Sequence, residues 1–561
     1  MPKIIDSLEP EPKKYEQQFI EDINNPVADA SSKTSQSDIY PVEKIKNEPS
    51  SIHIVNGKHV LQEYEIYDKL GYEFPQWKKW AIVTVIFVCQ LSMNFNGSVY
   101  PHALSLISKE FHVSSQAANT SQMIFKVAYG FGCELWAPWS EEYGRRNIMQ
   151  LSLFLTNIWQ ILGGKAPNFG TIIVARFLGG ISQAGGSVTL GVVADMWLPQ
   201  DHGYAVAYVV LASVLGAVIG PVFGGLMEEH LSWHWNFWIQ LIFGGITQLL
   251  HFFLVPETRA SVLTDREAKR RRKSGEDPEI YGPHEVKSLD FKEIIHTWLR
   301  PFYMFVCEPI VLFCSLLSGF ADHLIFICNQ SFTPIFKQWN FSTTACGLVF
   351  ITLVVSYAIA YPLHLIDIYY MRKKMNELMH SPRGPERRLL LLLYLAPLLS
   401  IGLFGFAWTS MGPAYTPWIA PAIFSTIIGI ANYSIYMATI DYMVAAYGPY
   451  ASSATGGNGL ARDLLGGVAA MYSGPLYNNI GGKFHYQWGS TLLGCLSIIC
   501  SIPIYIFYWK GPLIRKKSKF AQEIARSLED EMEHVRPEDA KKTFNDQNKE
   551  LTDTEEISDK V

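Results

Sequence analysis

Residues 81–91 read Ala81-Ile82-Val83-Thr84-Val85-Ile86-Phe87-Val88-Cys89-Gln90-Leu91. The run does not alternate apolar with polar positions, so it does not fit the two-faced strand of a membrane barrel. Extended on both sides it covers about 80–100, close to the roughly 20 residues that cross about 30 Å of hydrocarbon at 1.5 Å per residue. Comparable stretches recur at about 118–138, 147–163, 170–194, 205–227, 236–256, 302–325, 345–369, 389–409, 415–440, 452–476 and 487–509. Soluble α/β proteins bury helices too, but rarely a dozen of this length. The pattern predicts an all-α membrane protein with twelve transmembrane helices.

Composition agrees. Of 561 residues, 17% are charged and 49% apolar, against about 25% charged in an ordinary soluble chain. A net charge of −5 offers no electrostatic footprint for nucleic acid. The cysteines lie mostly in apolar runs without CxxC spacing, which suggests neither a disulfide framework nor a zinc site. No cofactor, metal or catalytic residue is expected, and no G-x-x-x-x-G-K-[ST] loop is present to cradle the phosphates of ATP.

Charge sorts the chain into segments. Residues 1–78 are polar and proline-broken and are expected to be a disordered tail, and 510–561 form a second polar tail. Residues 79–256 and 301–509 each hold six apolar stretches, separated by the basic linker 257–300, which includes Lys269, Arg270, Arg271, Arg272 and Lys273. Arg372, Lys373, Lys374, Arg387 and Arg388 follow the eighth stretch, and Lys510, Arg515, Lys516 and Lys517 the twelfth. Lys and Arg accumulate on the cytoplasmic side, so both termini are expected inside the cell. The piece Asp265–Ser274 suggests either a short basic helix on the anionic inner leaflet or plain positive-inside charge. Asn340-Phe341-Ser342 is a glycosylation sequon on the opposite side.

Two motifs carry function. After the second stretch come Ala137-Pro138-Trp139-Ser140-Glu141-Glu142-Tyr143-Gly144-Arg145-Arg146, an acid, a tight glycine turn and two arginines able to clamp a helix junction. The fifth stretch holds Gly216, Gly220, Pro221, Gly224 and Gly225, where glycines four apart allow close helix approach and the proline removes a helix hydrogen bond.

The first motif resembles motif A of the major facilitator superfamily, with Ala137 in place of its first glycine. The second resembles motif C, associated with drug–proton exchangers. Arg176-Phe177-Leu178-Gly179-Gly180, Ser232-Trp233-His234-Trp235 and Pro256-Glu257-Thr258-Arg259 narrow the likeness to the fungal drug:proton antiporter-1 group, although Ala445 stands where many relatives have an aspartate. The resemblance covers about residues 75–510. It implies two six-helix bundles around a midplane path, a cytoplasmic latch at Glu141, Gly144, Arg145 and Arg146, and export of amphipathic small molecules against protons from the plasma membrane, or alternatively the vacuolar membrane; a monomer is enough to supply both bundles.

Ionisable groups within apolar stretches are costly and therefore functional candidates. Asp322 and Glu134 are proton-carrier candidates, Glu134 being equally placed to support the latch. Arg176 resembles the arginine of the superfamily's fourth helix, which implies proton coupling; an ion pair that fixes the bundle is the alternative. Lys126 argues against a purely cation-selective path, while Asp195, Asp441 and Asp463 sit near enough to the interfaces for structural pairing. Phe95, Asn432, Tyr436 and Asn458 are candidate cavity residues. Polyamine export, proton-coupled uptake and a non-transporting sensor are the alternative readings.

Overall fold

The computed structural model describes residues 54–55, 58–197, 201–286, 291–374, 385–447, 450–518 and 520. Most of both expected tails lies outside these residues. Among the described residues the long helices are α1 Gln76–Val99, α2 Ser115–Tyr143, α3 Arg145–Gly164, α4 Phe169–Gln183 with its continuation Val188–Ala194, α5 Gly203–His230 and α6 Trp235–Leu254. They are followed by α7 Pro309–Phe336, α8 Ile351–Lys373, α9 Pro397–Thr409 with its preceding turn Leu390–Leu395, α10 Ile419–Tyr447, α11 Ala451–Asn479 and α12 His485–Arg515. The seventh apolar stretch starts later than expected: Phe291–Cys307 forms a separate helix that ends before Glu308, and Pro309 opens α7.

Nine of these segments are long and apolar enough to cross a membrane. The helices α2, α3 and α11 are outside that set, and their surroundings explain how they hold polar residues. α2 and α11 pack along each other in the middle of the structure, so Lys126, Glu134, Arg462 and Asp463 meet protein rather than lipid. α3 is two-faced: Ser152, Thr156, Asn157 and Gln160 are buried, whereas Leu151, Phe154, Ile158 and Ile161 point outward. Outward apolar side chains also line α6 (Ile242, Ile246, Leu249, Phe253) and α12 (Ile499, Ile502, Ile506), forming more exposed hydrocarbon than water would tolerate.

Helix pairing repeats. In the first six helices α1 packs on α5 and α6, α2 on α4, and α3 on α4 and α6. In the second six, α7 packs on α11 and α12, α8 on α10, and α9 on α10 and α12, the same scheme shifted by six. The sets meet along α2–α11 and α5–α8, a pair of contacts that exchange under the same shift.

Small residues bring the α5 side of this scheme together. A Cβ at Gly216 would lie 2.8 Å from Asn94 Cβ of α1, one at Gly220 would lie 2.8 Å from the Val99 nitrogen, and one at Gly224 would run into the His102 ring. The stripe therefore packs α5 against α1, and Ser98 donates a 2.9 Å hydrogen bond to the Gly216 carbonyl. Gly225 faces the other way, where a Cβ would meet Gly347 Cα at 3.0 Å, in the short helix Thr343–Leu348 that leads into α8.

Part of the tail expected to be disordered is ordered. Strands β1 Ile54–Val55 and β2 Lys58–Val60 pair, and β2 lies parallel to β3 Ile280–Tyr281 of the linker. Leu61, Ile66 and Leu70 close over Ala268 and Ile280, burying enough apolar surface to fix the segment. The linker's basic helix is Ala260–Ser274. Its cations pair with acids of the same small unit: Arg270 and Arg271 with Glu267, Arg271 with Glu65, and Arg272 with Glu285. These partners consume charge that a leaflet-bound helix would turn to lipid.

Candidate functional site

Two charge clamps and one buried cluster organise the polar residues. At the α2–α3 junction a single residue, Gly144, turns the chain with φ +96°. A Cβ there would run into the Glu257 carboxylate, so the junction needs glycine for space as well as conformation. Glu257 Oε1 accepts from the Arg145 backbone N–H at 2.9 Å and from the Thr258 and Arg259 N–H groups, capping the start of α3. The Arg145 side chain is buried and bonds Asp195 Oδ2 at 3.0 Å and the Ser140 hydroxyl at 2.6 Å. Glu141 is more distant, 3.7 Å from Arg145, and partly exposed. Arg146 bonds the Phe252 carbonyl at 2.7 Å and lies over the Phe252 ring. The four latch residues thus share one junction, but Asp195 and Glu257 supply its close carboxylates. Glu257 stands in the Pro256–Arg259 motif, which was the available signal.

The second half carries a matching arrangement at the entrance of α9. Arg388 pairs with Asp441 near the end of α10, and Arg515 at the end of α12 bonds Glu386 at 2.8 Å. Arg145–Asp195 and Arg388–Asp441 correspond under the six-helix shift. The terminal contacts to α6 and α12 also correspond, with acid and base differently assigned.

The buried cluster lies midway along the helices. Lys126 Nζ of α2 donates to Asp463 Oδ1 of α11 at 2.9 Å, and both side chains are almost wholly buried. Lys126 also faces the Phe326 ring of α7 at 4.2 Å. Asp322 of α7 has Lys126, Arg462 and Asp463 as its charged neighbours, and its Oδ2 accepts no hydrogen bond. Arg462 of α11 lies 4.6 Å from the Tyr436 ring of α10. Two cations and two carboxylates therefore balance at the α2–α7–α11 meeting point. On the same α7 turn, His323 bonds the Leu465 carbonyl at 2.9 Å and also the Tyr472 hydroxyl.

The remaining candidates divide. Tyr436 joins this cluster through Arg462. Asn432 donates to the Ala321 carbonyl at 2.8 Å and accepts from Tyr357 at 3.2 Å, tying α10 to α7 and α8. Asn458 accepts from Ser318 at 3.4 Å, and its Nδ2 has no partner. Phe95 instead packs edge-on against Phe223 and Phe243 in the α1–α5–α6 layer, apart from the charges. Glu134 is buried against Gly456 of α11, with its Oε1 unbonded.

Arg176 departs from the ion-pair alternative. Among the described residues no carboxylate lies within ion-pair distance. Gln122 accepts its Nη2 at 2.9 Å, Asn96 its Nη1 at 3.4 Å, and the Tyr100 and Phe125 rings cover the guanidinium at 4.0 and 3.7 Å. Amide oxygens at Nη1 and Nη2 and ring faces over the guanidinium take the place of a counter-ion without bringing a second charge into the bundle, while Nε has no partner among the described residues.

Comparisons with known proteins agree with this architecture. Residues 86–471 match the family profile of the Major Facilitator Superfamily. The chain is 30% identical over 451 residues to the MFS-type transporter kojT of Aspergillus flavus, covering 79% of each. It is 30% identical over 513 residues to the citrinin biosynthesis cluster MFS transporter mrr1 of Monascus ruber, covering 89% of this chain and 99% of that one. The structure of the human organic anion transporter MFSD10 (TETRAN) has the same fold, with a TM-score of 0.52 at 17% identity over 77% of this chain and 100% of the other. The profile match, spanning more than half the sequence, and the paired helical scheme lead to one conclusion: this multi-pass membrane protein belongs to the Major Facilitator Superfamily and acts as a transporter rather than an enzyme.

Proposed function

We propose that the chain crosses the membrane twelve times as two six-helix bundles with cytoplasmic termini, and exports amphipathic small organic molecules in exchange for protons. The observation that carries this reading is the charge-balanced cluster of Lys126, Asp322, Arg462 and Asp463 at the seam between the two helix sets. A buried ionisable group is retained at such cost chiefly where it serves a pathway.

Asp322 is the proton carrier in this scheme, because its Oδ2 is free of donors and can take up a proton. Protonation removes one negative charge beside Lys126 and Arg462 and strengthens the relative hold of Asp463. Deprotonation restores a competing partner for Lys126. Each change alters the α2–α11 tie across which the two sets must rock. Glu134 serves as a second proton group, and Arg176 holds the α1–α2–α4 polar core. The clamps at Arg145–Asp195 and Arg388–Asp441 close the cytoplasmic face, with Glu141, Gly144 and Arg146 shaping the first.

The cargo is neutral or singly charged, since two cations already match two carboxylates and leave little surplus for a polyamine. Tyr436, Asn432 and Asn458 contribute ring surface and hydrogen bonds, and the relatives named for metabolite clusters support an organic cargo. The assignment to the drug:proton antiporter-1 group and to the plasma membrane rests on the motif resemblance, and one chain supplies both bundles, so a monomer suffices.

The test is transport in proteoliposomes carrying an imposed pH gradient, with a panel of amphipathic substrates. Wild type should accumulate substrate against its gradient and stop when a protonophore is added. Asp322→Asn should lose gradient-driven accumulation and keep downhill exchange. Undiminished accumulation by that variant removes Asp322 as carrier, and indifference to the protonophore removes proton coupling.

A further inference from the structure

A separate cavity of about 390 Å³ opens where α1 and α5 begin and α8 ends, away from the central cluster. Its size is within the range of small-ligand sites. Lys79, Trp80, Trp197, Asp201 and Tyr204 line it from the first helix set and Arg372 from the second.

Its charges favour an anion. Lys79 is 6% exposed, and its Nζ donates to the Tyr72 carbonyl at 2.8 Å. Among the described residues it has no carboxylate within ion-pair distance, so it retains N–H donors for a ligand. Asp201 is already engaged by Arg372 at 2.6 Å, so among the side chains lining the cavity two cations face one carboxylate. The walls are interfacial in chemistry. Trp80 stacks edge-on with Trp197 at 5.9 Å, and neighbouring Trp77 is exposed, as indoles at the headgroup level are. Exposed Ile366, Tyr369 and Tyr370 on α8 continue an apolar surface from the cavity rim.

We propose that this cavity binds the phosphate-ester headgroup of an anionic lipid, which bridges Lys79 and Arg372 and staples the α5–α8 seam. A bridge there joins the two helix sets where Gly203 already packs on Ile368. Bound lipid then opposes separation of the sets on this face. The assignment rests on the proposed membrane reading for the presence of a leaflet at this level. Binding is measured without turnover, so failure of proton-driven transport leaves it standing.

The test uses the full chain in phosphatidylcholine nanodiscs with or without phosphatidylinositol bisphosphate. Native mass spectrometry reads retained lipid, and soluble inositol trisphosphate is the competing arm. A Lys or Arg near a charged headgroup contributes enough that Lys79→Gln and Arg372→Gln should each weaken retention about fivefold, and together about 25-fold. Lys517→Gln, outside the cavity, should leave retention unchanged. If Lys79→Gln does not fold, Arg372→Gln carries the test, since Arg372 is exposed. Equal retention by wild type and Arg372→Gln overturns the site. Competition by the soluble headgroup as strong as by whole lipid overturns the lipid assignment in favour of a free phosphoester.

Discussion

Replacing Lys126 or Asp463 singly should destabilise the protein far more than replacing both. At 2.9 Å, with an effective dielectric constant near 20, the pair attracts by about 6 kcal/mol. Most of that offsets the loss of water around two buried charges, so the pair's net worth is small. Removing one partner leaves the other charge buried and uncompensated. Lys126→Met and Asp463→Asn are each expected to cost about 3–5 kcal/mol, and the double variant only about 1 kcal/mol. Additivity would instead put the double at about 6–10 kcal/mol, a gap well outside the usual coupling between independent sites. Asp322 also faces Lys126, so Asp463→Asn should fall at the low end and Asp322→Asn/Asp463→Asn above it. Equilibrium unfolding in mixed micelles, followed by tryptophan fluorescence, measures all four. A double variant whose loss equals the sum of the singles would refute the pairing across α2 and α11.

Gly144→Ala forces a side chain onto a φ of +96° and against Glu257, and should cost about 1–3 kcal/mol in thermal unfolding. Gly220→Val pushes α5 off α1 and should lower stability by about 1–3 kcal/mol, whereas Gly245→Ala, with nothing within 4 Å of its Cβ, should melt like wild type. The linker predicts a pH effect: the Arg270 hydrogen bond, aided by Lys69 and Arg271, holds Glu267 down at about 2. A depressed carboxyl stabilises above its ordinary value and loses that contribution as pH falls toward about 2. Amide protection over residues 58–70, after correction for the intrinsic exchange rate, should therefore fall between pH 4.5 and about 2, and Glu267→Gln should already show the lower protection at neutral pH.

Local sequence carried the helices and their membrane character, because apolar length is a property of consecutive residues. The late start of α7 was not legible from hydropathy, since Phe302, Phe305 and Val306 continue the apolar run beyond Pro309 and only the break at Glu308 separates them. The glycine turn at 144 was legible from its motif. Its closest acids were not, because Asp195 and Glu257 reach Arg145 from the ends of other helices. Nor could composition tell that Arg271 would meet Glu65 as well as Glu267; that contact depended on residues 58–70 folding back over the linker.

By itself the chain determined which segments are apolar, where the basic residues accumulate, and where glycines recur in turns and stripes. These depend only on covalent neighbours and helix periodicity. Only the tertiary structure decided that Lys126 pairs with Asp463, 337 positions away, that Arg176 rests on amides and rings, and that the clamp recurs at Arg388. A buried charge is settled by whatever lies within a few ångströms in space, and that neighbour is fixed by helix packing rather than by order along the chain.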